Sequence, residues 1–206
     1  MSSRVSDAVR AAADDLFARR IEPARAFAAD AERVARACYN MAQRFHRGGK
    51  LLVFGMGAPS TDAQHVSVEF VHPVIVGKRA FQAMSLAGDV ATVTGLAESS
   101  GLSEVFAHQI RHLGAPQDVA IGISASGPSE AVTQGLLAAR NLGMLTVELA
   151  ADGGGVRNHG VDHAFVVVSD DPLVVKEVQV TAYHVLWELV HVFFEQPGVL
   201  GPEMVG

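Results

Sequence analysis

The chain has 206 residues, room for one large or two small domains, and its 49% hydrophobic and 18% charged content supports a packed core and excludes disorder. A net charge of −6 argues against non-specific binding to nucleic acid, and a lone cysteine, Cys38, excludes an intrachain disulfide framework and fits a reducing, cytoplasmic setting. No run approaches ~20 apolar residues, so no membrane span is expected, and the start MSSRVSDAVR lacks the apolar core of a secretory signal.

Residues 1–47 read as helical throughout. Val5, Val9, Ala12 and Leu16 recur at helical spacing. Pro23 marks the start of a second helix, where Phe27, Ala31, Val34, Cys38, Met41 and Phe45 build one apolar face. Cys38 belongs to that face as a small core or interface residue. Arg44, Arg47, Gly48 and Gly49 form a helix stop. Such a helical pair must lie against the rest of the chain, another subunit, or both. Arg4, Arg10, Arg19 and Arg20 are scattered among acids and read as solvated helix faces.

From Lys50 onward strands and helices alternate. Apolar runs at 50–55, 80–86, 118–124, 144–150 and 164–169 read as five strands. Helical patterns cover 61–71, 88–97, 103–113, 129–142 and 171–195, the last with Pro172 near its first turn. Strands that are apolar throughout and separated by helices predict an α/β fold with a five-stranded parallel sheet covered on both faces. The glycine triplet at 153–155 reads as a loop, so residues 1–206 form a single domain.

Two strands end in loops suited to ligands, which bind at the carboxyl ends of such strands. The first is GMGAPST, residues 55–61. Its GxG is followed by Ser60 where a dinucleotide fingerprint needs a third glycine, and no acid ends the next strand. The second is SASGPS, residues 124–129. Here Ser124, Ser126, Gly127 and Ser129 lie between a strand and a helix start, where free backbone N–H groups and the helix dipole favour a phosphate. Without a lysine it is no Walker-type loop. The same serines also suit turn formation, with Ser129 as a helix N-cap.

The segments GGKLLVFGMG, DAQHVSVE, GISASGPSEAV, AARNLGMLTVEL and KEVQVTAYHVLWELV together resemble the sugar isomerase (SIS) domain family, and within it the sedoheptulose-7-phosphate (phosphoheptose) isomerases. The resemblance spans nearly the whole chain. It implies a five-stranded parallel sheet, a homotetramer with the N-terminal helices between subunits, and an active site shared across an interface. It also implies that Ser124, Ser126, Gly127 and Ser129 hold the phosphate of a sugar, with Gly55, Gly57 and Ser60 in the substrate loop. Glu69 and His184, the latter from another subunit, handle protons. Some members carry zinc, which here would fall to His65, Glu69 and His184. His65 and Glu69 are four apart and share a helix face, a spacing equally suited to a surface hydrogen bond.

The chain departs from the family pattern at several places. Lys176 stands where the family has a metal-binding Gln, and an ammonium has no lone pair for a metal. Lys176 near Glu69 would instead hold that carboxylate ionised or stabilise an enediolate oxygen. Leu173 replaces an acid, Gln179 a histidine, and Met56, Gly57, Ala58 and Pro59 an Asn-Gly-Gly-Ser loop. Residues 71–76 (VHPVIV) replace a more polar stretch, so the pocket is expected to be less polar than the family's. The retained His and Glu set favours an aldose–ketose isomerase of a phosphorylated sugar. The altered loop equally suits a non-catalytic member that binds a sugar phosphate or a protein partner. His108 and His112 are also four apart but sit beside Arg111 on an amphipathic helix, which reads as a solvated face; His159 and His163 lie in a loop without a carboxylate partner.

Overall fold

The structure, a computed structural model, describes residues 6–127, 129–152 and 160–201. Strands β1 (Leu51–Gly55), β2 (Ala83–Ser85), β3 (Val119–Ile123), β4 (Leu145–Ala151) and β5 (His163–Val167) form one sheet in the order β2-β1-β3-β4-β5. Every pairing is parallel; Leu51 lies opposite Ala83 and Val119, and Val147 opposite His163. The expected fold class is therefore the one observed. β2 is shorter than its apolar run because only Ala83–Ser85 pairs with β1.

Alternation along the strands divides the core in two. Leu51, Val53, Ile121 and Val147 point to one face, where they meet α2 (Ala31–His46), α3 (Pro59–Val71) and α7 (Pro172–Glu195). Leu52, Phe54 and Ala120 point to the other, against α5 (Val105–Leu113) and α6 (Glu130–Asn141). α4 (Val90–Ser100) and a 3₁₀ turn (Leu102–Glu104) link β2 to α5. Cys38 is fully buried, and burial pushes its thiol up to about 12, so it is an inert core group.

The N-terminal helices differ from expectation at their boundary. α1 runs Asp7–Ala28, straight through Pro23, and α2 starts at Ala31. A proline removes one helix hydrogen bond, which an exposed helix survives. The break comes at Ala29, whose N–H still bonds to Arg25 O, and at Asp30. α2 buries Val34, Ala37, Cys38, Met41, Ala42 and Phe45, whereas α1 buries nothing and leaves Val9, Leu16, Phe17 and Ile21 exposed. Arg19 and Arg20, expected on a solvated face, reach Asp171 (3.3 Å) and Glu177 (2.7 Å) and tie α1 to the start of α7. Pairs this exposed contribute under about 1 kcal/mol each. Among the described residues, no helix is long and apolar enough to cross a membrane.

Candidate active site

From β1 the chain moves outward to β2 and then returns to β3 on β1's other side. Open α/β sheets bind ligands at that reversal. A cleft of 400 Å³ lies there. Met56, Gly57 and Ala58 wall it from the loop after β1, and Ala125 and Ser126 from the loop after β3. Pro172 and Leu173, the first turn of α7, close another side, and Asp62 and Lys176 complete it.

Gly55 and Gly57 shape the first loop. A Cβ on Gly55 would sit 2.7 Å from the Pro59 Cβ and 2.9 Å from the Ile123 carbonyl, so only glycine lets β1 leave against α3 and β3. Gly57 turns the chain with φ +72°. Ser60 donates its N–H to Gly57 O (3.0 Å) and belongs to α3, outside the cleft walls.

Two helices begin at this cleft, α3 at Pro59 and α7 at Pro172, and α6 begins at Glu130 after the serine loop. A helix start carries a positive end that favours an anion; at α7 the Asp171 carboxylate already takes that place, accepting from Leu173 N at 2.9 Å. α3 has no side-chain cap. Ser129 occupies the N-cap position of α6 with extended backbone (φ −115°, ψ 109°), yet makes no capping hydrogen bond. Ser129 is thus the N-cap of α6 by position and backbone, without a side-chain capping bond. Ser126 faces the cleft, and Gly127 turns the loop with φ +116°. Ser124 is 4% exposed, and its buried Oγ has no partner among the described residues. An unmade bond of this kind costs about 1–3 kcal/mol. The carbonyl of Ser124 is held by Gln179 Nε2 (2.9 Å), giving Gln179 a role in fixing the serine loop.

Deeper along the helices, His65, Glu69 and His184 converge. One ligand atom from each lies within 4.8 Å of the others, and all three side chains are half-buried. His65 Nε2 is 3.2 Å from Glu69 Oε1, and the His65 and His184 rings meet edge to face at 5.1 Å. One chain by itself brings His184 and Glu69 together. The reason is the register of two adjacent helices. From their starts onward, Lys176 Nζ meets Asp62 Oδ2 (2.5 Å), Tyr183 Oη meets His65 Nδ1 (2.9 Å), and Trp187 Nε1 donates to Glu69 O (2.8 Å).

That register also revises the place of Lys176. Its ion-pair partner is Asp62, two helical turns before Glu69, and its Nζ lies 3.4 Å from Thr61 Oγ1. Asp62, 4% exposed, is the residue the sequence reading missed. The signal was available: 62, 65 and 69 share one helix face. Tyr183 was missed as well. Burial, then the Asp62 and Glu69 carboxylates, hold its phenol above the usual tyrosine range, so it stays a neutral hydrogen-bonding group beside His65.

A divalent ion fits His65, Glu69 and His184 as a donor set: two imidazoles and a carboxylate leave a fourth position open. It is the only such group of three among the described residues. His108 and His112 stack at 4.5 Å beside a separate cavity of 480 Å³ near β2, without a third ligand. His163 opens β5 rather than lying in a loop, and its Nε2 lies 3.0 Å from the Asn40 amide; burial keeps it below the usual histidine range. Pro128, the glycine triplet at 153–155 and His159 lie outside the described residues.

Comparison with known proteins bears on this geometry. A family model described as the SIS domain matches residues 17–151. A phosphoheptose isomerase of Solidesulfovibrio magneticus is 39% identical over 180 residues, 87% of this chain and 88% of the relative. One from Desulfovibrio desulfuricans is 37% identical over 179 residues, 85% and 84% of the two chains. Among solved structures, a phosphoheptose isomerase from Francisella tularensis superposes with a TM-score of 0.79 at 28% identity, covering 90% of this chain and 97% of that one. The corresponding Neisseria gonorrhoeae structure gives 0.77 at 26% identity, covering 88% and 98%.

Proposed function

Because the chain belongs to the SIS domain family and its curated relatives are phosphoheptose isomerases, we propose that it interconverts the aldose and ketose forms of a phosphorylated sugar. One observation carries the reading: His65, Glu69 and His184 converge on the two helices, α3 and α7, whose first turns wall the anion-suited cleft. The distance from Asp62 to Glu69 along α3 is roughly 10 Å at 1.5 Å per residue, a span suited to a sugar chain with its phosphate at one end.

In this mechanism the serine loop (Ser124, Ser126, Gly127, Ser129) and the open N-termini of α3 and α6 hold the phosphate. Remote binding of that kind positions the reacting carbons. Glu69 removes the proton next to the carbonyl, and His184 handles the proton at the neighbouring oxygen or carbon. Tyr183 and Glu69 fix the His65 ring from its two nitrogens. Lys176, held by Asp62, directs an ammonium N–H into the cleft toward a substrate oxygen. A zinc ion held by His65, Glu69 and His184 would polarise a carbonyl oxygen. The assembly is a cytoplasmic homotetramer of single-domain chains, with residues 1–47 between subunits. The uncovered apolar residues of α1 support that arrangement.

A coupled assay that follows ketose-to-aldose conversion tests this. Glu69→Gln and His184→Ala should each lower turnover by at least ~100-fold, the low end for acid–base groups, while sugar-phosphate protection against thermal unfolding persists. A chelator that lowers activity would place a metal in the reaction; activity lost in Lys176→Met but indifferent to chelators would assign that role to the ammonium. A parent protein that binds sugar phosphates and interconverts none of them leaves the non-catalytic alternative standing.

A further inference from the structure

Away from the cleft, and independent of the isomerase reading, α5 carries a pair of histidines arranged as metal ligands are. His108 and His112 are four residues apart, so both rings leave one face of the helix, the spacing by which helical histidines share an ion. Phe106 and Ile110 on the opposite face are buried in the core, which holds the helix backbone in place. The two rings stack at 4.5 Å with 23° between their planes. His112 Nδ1 lies 2.8 Å from the His108 carbonyl. That oxygen can only accept, so in the neutral ring Nδ1 carries the proton and Nε2 keeps its lone pair. A metal-bound imidazole has the same arrangement, its second nitrogen donating to a backbone carbonyl.

The surroundings favour a cation. Both rings line the 480 Å³ cavity together with Ser85, Asp89 and Thr92. Asp89 accepts from Thr92 Oγ1 (2.7 Å), Thr92 N (3.2 Å) and Ala91 N (3.0 Å). Those bonds, the Thr92 hydroxyl first, hold its carboxyl below the usual carboxylate range, so it brings a negative charge to the cavity. Arg111, next to His112 in sequence, is paired with Glu104 at 2.6 Å. Gln109 donates to Leu86 O (3.0 Å) and Val105 O (2.9 Å), which pins α5 to the exit of β2.

We propose that His108 and His112 bind a borderline-soft divalent ion such as zinc or copper through their imidazole nitrogens, with water completing the coordination and Asp89 lending negative charge from the same cavity. A modest turn about each Cβ–Cγ bond, a broad torsion in histidine, brings the stacked rings to converge on one ion.

The test isolates this pair from the His65, Glu69 and His184 group. Cu²⁺ alone is titrated into the full chain carrying His184→Ala. Calorimetry should show one ion bound per chain, and electron paramagnetic resonance should show nitrogen coordination. Adding His108→Gln or His112→Gln should weaken binding at least ~10-fold, since losing even an outer-shell partner of a metal costs that much. Both positions are at least partly exposed, so the changes should leave the fold and its circular dichroism unaltered. Zn²⁺ should likewise raise the Tm of the His184→Ala protein and leave that of the version with both glutamines unmoved. Copper affinity and spectrum unchanged by the two glutamines would overturn the site, as would a His184→Ala protein that binds no copper.

Discussion

The two ends of the parallel sheet treat their polar groups in opposite ways. At the amino end they are closed. Buried Asp118 accepts from the backbone N–H groups of Lys50 and Ala115 (2.9 Å each) and from Lys50 Nζ (2.5 Å). Asp162 accepts from the N–H and hydroxyl of Thr146 (2.8 Å each), and Arg44 reaches the carbonyls of Pro116 and Gly143. At the carboxyl end Asp62 is paired with Lys176 and Asp171 caps α7, but other polar groups are left open. Ser124 Oγ and Gln179 Oε1 are buried without partners among the described residues, and α3 and α6 begin without side-chain caps. The same strands thus run from an end whose carboxylates are saturated by the chain to an end that keeps unpartnered polar atoms among the described residues.

The largest expected contrast comes from Ser124→Ala with Ser126→Ala. Each hydroxyl bond to a charged phosphate is worth about 1.5–3 kcal/mol, so calorimetry should show at least ~100-fold weaker sugar-phosphate binding. The free protein should keep its Tm or gain slightly, because an orphaned hydroxyl has gone. Undiminished binding would make the serine loop merely structural.

At the closed end the opposite result is expected. Asp118→Ala strands two backbone donors and the Lys50 ammonium, and should lower stability by about 2–4 kcal/mol in urea unfolding. The folded fraction should bind sugar phosphate as the parent does. A loss below about 1 kcal/mol would remove the contrast.

Tyr183→Phe probes the layer between the ends. The change keeps the buried ring and deletes the oxygen beside His65 Nδ1. Turnover should fall roughly tenfold, the scale of a lost orienting partner, with stability changed by about 1 kcal/mol or less. A stability loss with unchanged turnover would reduce Tyr183 to packing.

The smallest effect concerns pH at the amino end. Burial favours the neutral ring of His163 and lowers its pKa from 6.5. The unfolded chain therefore binds the proton first as pH falls. The contribution of this residue is full above about 6.5 and is lost as pH falls through the lower folded value. In urea unfolding across that window, His163→Gln should show a shallower decline than the parent; an equal slope would assign the decline to other groups.

Much of this was legible without coordinates because it rests on local rules. Apolar runs that are continuous rather than alternating announced strands buried on both faces, and the parallel sheet follows from the helices between them. The serine loop and GxG turn were readable as strand-to-helix junctions, which is where the structure puts them. The boundary at Pro23 was misread because a proline weakens a helix locally, while whether the helix ends depends on its surroundings.

What the sequence by itself determined was the inventory and its local placement: the α/β fold, the two loops, and His65 and Glu69 on one helical face. What only the tertiary structure decided was which distant side chains meet. Lys176 pairs with Asp62 rather than standing near Glu69, Tyr183 touches His65, and His184 joins Glu69 within one chain. These pairs are separated by more than a hundred residues, and no periodicity along either helix specifies how far one slides against the other. That offset is set by packing, where Trp187 reaches the Glu69 carbonyl and Tyr183 fills the space beside α3. A slide of one turn, about 5.4 Å, would pair different residues while leaving both apolar faces buried.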